Sequence, residues 1–81
     1  MFYSYPNPAS NMVNVLYNIS SDAGKVSIEI NDVTGKLIST YMVDKNNSQM
    51  IINTQHLSKG IYYVMLKVDN KNMKVEKLVI Q

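Results

Sequence analysis

Few side chains in this chain could carry a reaction. His56 is the only histidine, and Ser58 could serve as a nucleophile beside it. No acid lies near in sequence to orient the imidazole, and a metal bound there would lack further ligands. Asp22, Asp32, Asp44 and Asp69 could work only as a convergent pair, one acid and one base, yet each falls in a turn or at a strand end, where loop acids are solvated. Cysteine is absent, so a catalytic thiol, a thiolate metal site and a disulfide framework are excluded. The reading is a non-enzyme with no catalytic residue, no metal ligand and no cofactor.

The bulk composition narrows the classes further. The 81 residues carry a formal charge of +2, and all of the basic residues are lysines spread from Lys25 to Lys77. Without arginine, the bidentate chemistry that reads phosphate and guanine is missing, so no nucleic-acid partner is expected. No apolar run approaches the roughly 18 to 20 residues that span a bilayer, so no membrane insertion is expected. Met1-Phe2-Tyr3 opens no charged-then-apolar leader. The expectation is a single domain, residues 1–81, that is either cytoplasmic or excised from a longer exported chain, with Met1 as an added start. A domain of this size has a thin core and modest stability.

Periodicity supplies the scaffold. Val13, Val15, Tyr17 and Ile19 alternate with Asn14, Leu16 and Asn18, and Val26, Ile28 and Ile30 alternate with Ser27, Glu29 and Asn31. Ser20 to Gly24 is the turn between these two strands. Asp32-Val33-Thr34-Gly35 then predicts a hairpin in which Gly35 takes the left-handed position of a type I turn with a bulge. Lys36 to Val43 is extended but leaves its buried face ambiguous, with Leu37, Tyr41 and Val43 on one side and Ile38, Thr40 and Met42 on the other. Ser48 to Asn53 is a short strand and Thr54 to Lys59 an arch. After Gly60, Tyr62, Val64, Leu66 and Val68 alternate with a second fairly apolar face, which predicts a central strand. Asp69 to Asn72 is a tight turn. The last strand, Met73 to Ile80, changes parity between Val75 and Leu78, which predicts a bulge or bend near Glu76-Lys77. Six strands spaced by about ten residues predict an all-β sandwich, seven if Phe2 to Pro8 adds an edge.

Three local groups stand apart from this scaffold. Pro6-Asn7-Pro8 should be stiff, extended and short of donors, and by itself reads as a blunted sheet edge. Leu57-Ser58-Lys59-Gly60-Ile61-Tyr62 has the form of a tyrosine corner, in which a phenol bonds backbone a few residues upstream. Lys74 to Gln81 is a final strand with no polar tail.

In this order the groups resemble the type A C-terminal sorting domain of the type IX secretion system. "YPNPASNMVNVLY", "NDVTGKLIS", "LSKGIYYVML" and "VEKLVIQ" match its successive motifs over nearly the whole chain, with Glu76 before Lys77 as a mild departure from the family pattern. The resemblance implies an Ig-like antiparallel β-sandwich of about seven strands, of Greek-key type. It also implies a C-terminal targeting signal that directs a cargo protein through the outer membrane and is then usually cleaved off, with the cargo anchored at the surface. The implied partners are the outer-membrane translocon, a shuttle protein and a sortase-like cysteine protease. The implied location is the periplasm in transit, then the cell surface or exterior. Pro6, Asn7, Pro8, Lys77, Leu78 and Val79 are assigned to recognition, with Val75 to Gln81 as an edge for strand addition to a receptor. Gly35, Leu57, Gly60 and Tyr62 are assigned to holding the shape. Two alternatives share the sandwich: a fibronectin-III or Ig-like adhesion module, and a carbohydrate-binding module that would draw its aromatic row from Tyr3, Tyr5 and Tyr63.

Overall fold

The computed structural model describes residues 2–20 and 22–81. Met1, read as an added start, and Ser21, one residue of the Ser20–Gly24 turn, lie outside the described residues. The described residues form seven strands and no helix: β1 (Phe2–Tyr5), β2 (Met12–Tyr17), β3 (Val26–Asp32), β4 (Leu37–Met42), β5 (Gln49–Asn53), β6 (Gly60–Val68) and β7 (Lys71–Ile80). They pair antiparallel in two sheets, β1-β2-β5 and β4-β3-β6-β7. The β3–β6 and β2–β5 pairings join strands that are not consecutive in the chain, so the sandwich has the expected Greek-key character.

The core lies where the alternation put it. Val13, Val15 and Tyr17 of β2 and Ile52 of β5 meet Val26, Ile28 and Ile30 of β3, Val64 and Leu66 of β6, and Leu78 and Ile80 of β7. β6 lies between β3 and β7 and buries its even residues, with the odd face half-covered, as a central strand should. The β6–β7 turn is tighter than expected. Val68 pairs Lys71, so Asp69 and Asn70 alone make the connection, both at positive φ (53° and 67°). Residues that tolerate left-handed backbone are required at both central positions of such a turn. Gly35, at φ 90°, closes the β3–β4 hairpin as predicted, its N–H bonding Asp32 O at 3.0 Å, and the register shifts by one residue between Ile30 and Asn31.

Two expectations are corrected. The ambiguous face of β4 is resolved by its having no well-buried face. It is the outer strand of the four-stranded sheet, with Leu37, Ile38 and Met42 all exposed. The irregularity of β7 does not fall near Glu76-Lys77; it lies opposite Leu66/Lys67, where Lys74 and Asn72 are paired and Met73 is the extra residue. From Lys74 onward β7 is regular. Its apparent change of parity arises because Met73 and Val75 are apolar residues on the solvent face, whereas Leu78 and Ile80 face the core.

Candidate functional site

The two ends of the chain meet along the free edge of β7. Pro6, Asn7 and Pro8 follow β1 directly, and instead of running extended they bend across from the three-stranded sheet to the four-stranded one, with cis Tyr5–Pro6 and Asn7–Pro8 bonds. The prolines carry no N–H, so the bonding falls to Asn7. Its side-chain Nδ2 donates to Lys77 O at 2.8 Å, and Val79 N donates to its Oδ1 at 3.0 Å. A carboxamide offers one donor side and one acceptor side, as a peptide unit does, so the Asn7 side chain stands in for a strand residue. Ala9 continues the pairing through its backbone: Ala9 N donates to Val79 O and Gln81 N donates to Ala9 O, both at 2.8 Å, in a parallel bridge beside Ile80.

The fold therefore brings together five of the six residues assigned to recognition as an exposed or half-exposed rim. Pro6, Asn7, Pro8 and Lys77 are exposed and Val79 is half-buried. Leu78 is different: its side chain is fully buried among the core residues, so it holds β7 in place and is not displayed. Strand addition along all of Val75 to Gln81 is also corrected, because Lys77 O, Val79 N, Val79 O and Gln81 N are already bonded within the chain. Backbone groups of an antiparallel strand alternate sides, and Val79 turns away from β6, so the open part of this edge is centred on Val75.

Tyr62 OH donates to Ser58 O at 2.8 Å, the bond of a tyrosine corner, while Leu57 packs against the core and Gly60 opens β6 at φ 153°. The arch is tied to the segment behind Ala9 by two bonds from Thr54: its N–H donates to Asn11 O at 2.9 Å and its Oγ1 to Ser10 O at 3.1 Å. His56 is exposed on this arch, and no group of metal-ligating side chains occurs among the described residues.

Several contributors escaped the reading of the sequence. Ala9 is 1% exposed, and its small size lets β7 approach. Ser4 of β1 donates to Glu76 Oε1 at 3.3 Å, linking the two sheets beneath the rim, and Glu76 Oε2 is buried without a partner. An inward-facing acid near a sheet edge opposes further strand pairing there. Away from the rim, Asp32 accepts from the Thr34 hydroxyl (2.6 Å) and from the backbone N–H of Thr34 and Lys36. The Thr34 hydroxyl is the chief cause of its lowered pKa. Burial, and secondarily the Asp44 carboxylate, pushes the Tyr17 phenol up. Tyr3 and Tyr5 lie side by side, ring centroids 6.2 Å apart, but Tyr63 sits on β6 in the other sheet and does not extend them into a row.

Residues 3–81 match the family model described as the secretion system C-terminal sorting domain. No curated protein gives a significant match.

Proposed function

The chain belongs to the type IX secretion C-terminal sorting domains, targeting signals and not catalytic domains, and from that premise we propose that the signal is read from the rim where Pro6-Asn7-Pro8 is clamped to β7. Such a domain engages the type IX machinery in general and belongs to a secreted or cell-surface protein that passes through the periplasm. The observation that carries the proposal is the pair of Asn7 bonds to Lys77 O and Val79 N. They join residues from opposite ends of the chain into one fixed surface, so that docking does not have to order a loose tail.

The rim offers a defined chemistry. The pyrrolidine rings of Pro6 and Pro8 give rigid apolar contact, and Lys77 adds one positive charge beside them. Its readers are the outer-membrane translocon and a shuttle protein. A sortase-like cysteine protease then removes the domain and leaves the cargo anchored at the surface.

The test is secretion of a reporter fused ahead of this chain in a type IX-competent cell. Lys77→Glu and Lys77→Ala alter an exposed side chain without touching the core or the clamp, and each should lower export while the purified domain keeps its unfolding midpoint. Substitution of the exposed Asn46, in the β4–β5 connection, should leave export unchanged. Full export by the rim variants would refute the assignment.

A further inference from the structure

Three strands stand over four in this sandwich, and the difference leaves a gap at one end. Ser4 bonds Glu76, Asn7 bonds Lys77 and Val79, and Ala9 bridges Ile80, so β1 and the segment after it run parallel to β7. By the same offset Phe2, where the described part of β1 starts, comes level with Lys74. There the sheets enclose a cavity of about 250 Å³, walled chiefly by Ile19, Ala23, Leu66, Val68, Met73 and Lys74. Five of these six are apolar. Ile19, Ala23 and Val68 are only partly buried against the core, and Met73 is 56% exposed. Lys74 shares the inward parity of Glu76, Leu78 and Ile80 and yet is exposed, because no strand covers it.

The register of β1 on β2 indicates what belongs in the gap. Phe2 pairs Tyr17, Tyr3 pairs Leu16 and Ser4 pairs Val15, with Phe2 and Ser4 facing in and Tyr3 and Tyr5 facing out. Carried two pairs further, this register sets the residue two places ahead of Phe2 opposite Ile19, on the inner face and over the cavity. The backbone of the neighbouring strand is ready for it. Tyr17 N donates to Ser48 O on the β5 side, so by alternation Asn18 directs its N–H and C=O to the side of β1. The strip ends at Ser20, whose C=O accepts Ala23 N–H at 3.0 Å and whose hydroxyl accepts Asp22 N–H at 3.2 Å. It has room for about two residues.

We propose that the polypeptide directly ahead of Phe2 continues β1 along Asn18 and Ile19, and that the side chain two places ahead of Phe2 is apolar and fills the cavity. The inference rests on the reading of the chain as a C-terminal signal, which sets cargo ahead of Phe2. An apolar cavity of roughly 150 Å³ is known to take up benzene, so a space of this size and lining admits a Leu, Met or Phe side chain. The cargo therefore joins the domain through a docked pair of residues, and a cut that releases the domain falls ahead of that pair.

Two chains of equal composition test this. One is prolonged ahead of Met1 by Thr-Leu, which sets leucine two places ahead of Phe2; the other is prolonged by Leu-Thr, which sets leucine three places ahead, facing solvent. The first should unfold roughly 4–8 °C above the second, and its Asn18 N–H should exchange more slowly. Met73→Ala, at an exposed bulge position, should lower the midpoint of the first chain more than that of the second. Anilinonaphthalene sulfonate should bind the second chain and be excluded from the first. In the gene, the codon two places ahead of Phe2 should encode an apolar residue. In the full-length protein, limited proteolysis should release a domain that keeps the docked pair. Equal midpoints, dye bound equally by both chains, a gene with a charged residue, glycine, proline or nothing at that place, or cleavage between that place and Phe2 would each overturn the proposal. None of these readouts uses export, so full export by the Lys77 variants would refute the rim and leave the docked strand standing.

Discussion

Replacing Asn7 by aspartate and by alanine tests the clamp in a way that surface charge alone cannot imitate. The alanine variant loses two hydrogen bonds, to Lys77 O and from Val79 N. Both backbone groups lie at an exposed rim where water can replace Asn7, so each bond counts at its ordinary net value of about 0.5–1.5 kcal/mol and the pair at about 1–3 kcal/mol. A domain of this length shifts its midpoint by roughly 4–8 °C per kcal/mol, so the loss is large enough to measure by thermal unfolding. Aspartate keeps an acceptor for Val79 N but sets a carboxylate oxygen against the Lys77 carbonyl, where Nδ2 now sits at 2.8 Å. At neutral pH Asn7→Asp should therefore be at least as destabilised as Asn7→Ala. Protonation supplies an O–H donor, so the folded state raises the pKa of the new carboxyl above its unfolded value of about 4. Its stabilising contribution is full below that value and disappears as pH rises through the folded pKa. The order of the two variants should accordingly reverse in acid. Amide exchange gives the residue-level check: Val79 N–H and Gln81 N–H should be protected in the parent and Val79 N–H should exchange faster in both variants at neutral pH. Wild-type midpoints for both variants, or an aspartate variant more stable than alanine at neutral pH, would refute the clamp.

Three further outcomes follow from the same geometry. Tyr62→Phe removes the phenol bond to Ser58 O and should cost about 1 kcal/mol in urea unfolding with the fold unchanged by circular dichroism. Gly24→Ala would place a methyl 2.2 Å from Asp69 Oδ1 and so break the bond from Lys25 N. Its cost, about 1 kcal/mol, should largely vanish in an Asp69→Ala background, a coupling that a double-mutant cycle reads directly. Asp32 has a pKa lowered from 3.8, so its contribution is present above that value and is lost as pH falls through the folded pKa. The advantage of the parent over Asp32→Asn should therefore be seen at neutral pH and shrink below about pH 4 in a pH series of thermal unfolding.

What could be read from the sequence was the information that lies within a strand or a turn. The strict alternation of Val26 to Ile30 and Tyr62 to Val68, the left-handed place of Gly35 and the spacing from Ser58 to Tyr62 each depend on neighbours a few residues apart, and each was found in place. β4 was not resolved, because its exposure depends on a sheet of four strands facing one of three, a fact of global assembly. The bulge in β7 was misplaced because parity was read as burial, and Met73 and Val75 are apolar without being buried. The clamp joins Asn7 to residues 70 and 72 positions away, which no local pattern reports. The sequence did hold one clue. An asparagine between two prolines is the only side chain of that segment able to bond like a strand, and the residues that bracket it cannot.

The same contacts determine which experiments can speak to recognition. Deleting Leu78 to Gln81 removes two core side chains, Leu78 and Ile80, together with Val79, which bonds Asn7 and Ala9, and Gln81, which bonds Ala9. Burial of one leucine alone contributes about 2–5 kcal/mol, comparable with the whole stability of a small domain, so a truncated chain fails to export whether or not the last strand is read. Failure of that variant therefore carries no information about the rim. Lys77→Glu separates the two causes, because its side chain is exposed and only its backbone carbonyl, which any residue supplies, takes part in the clamp. If Lys77→Glu exports normally while Asn7→Ala fails in proportion to its lost stability, the machinery requires a folded domain and reads it elsewhere. If Lys77→Glu fails with its midpoint intact, the rim itself is what is read.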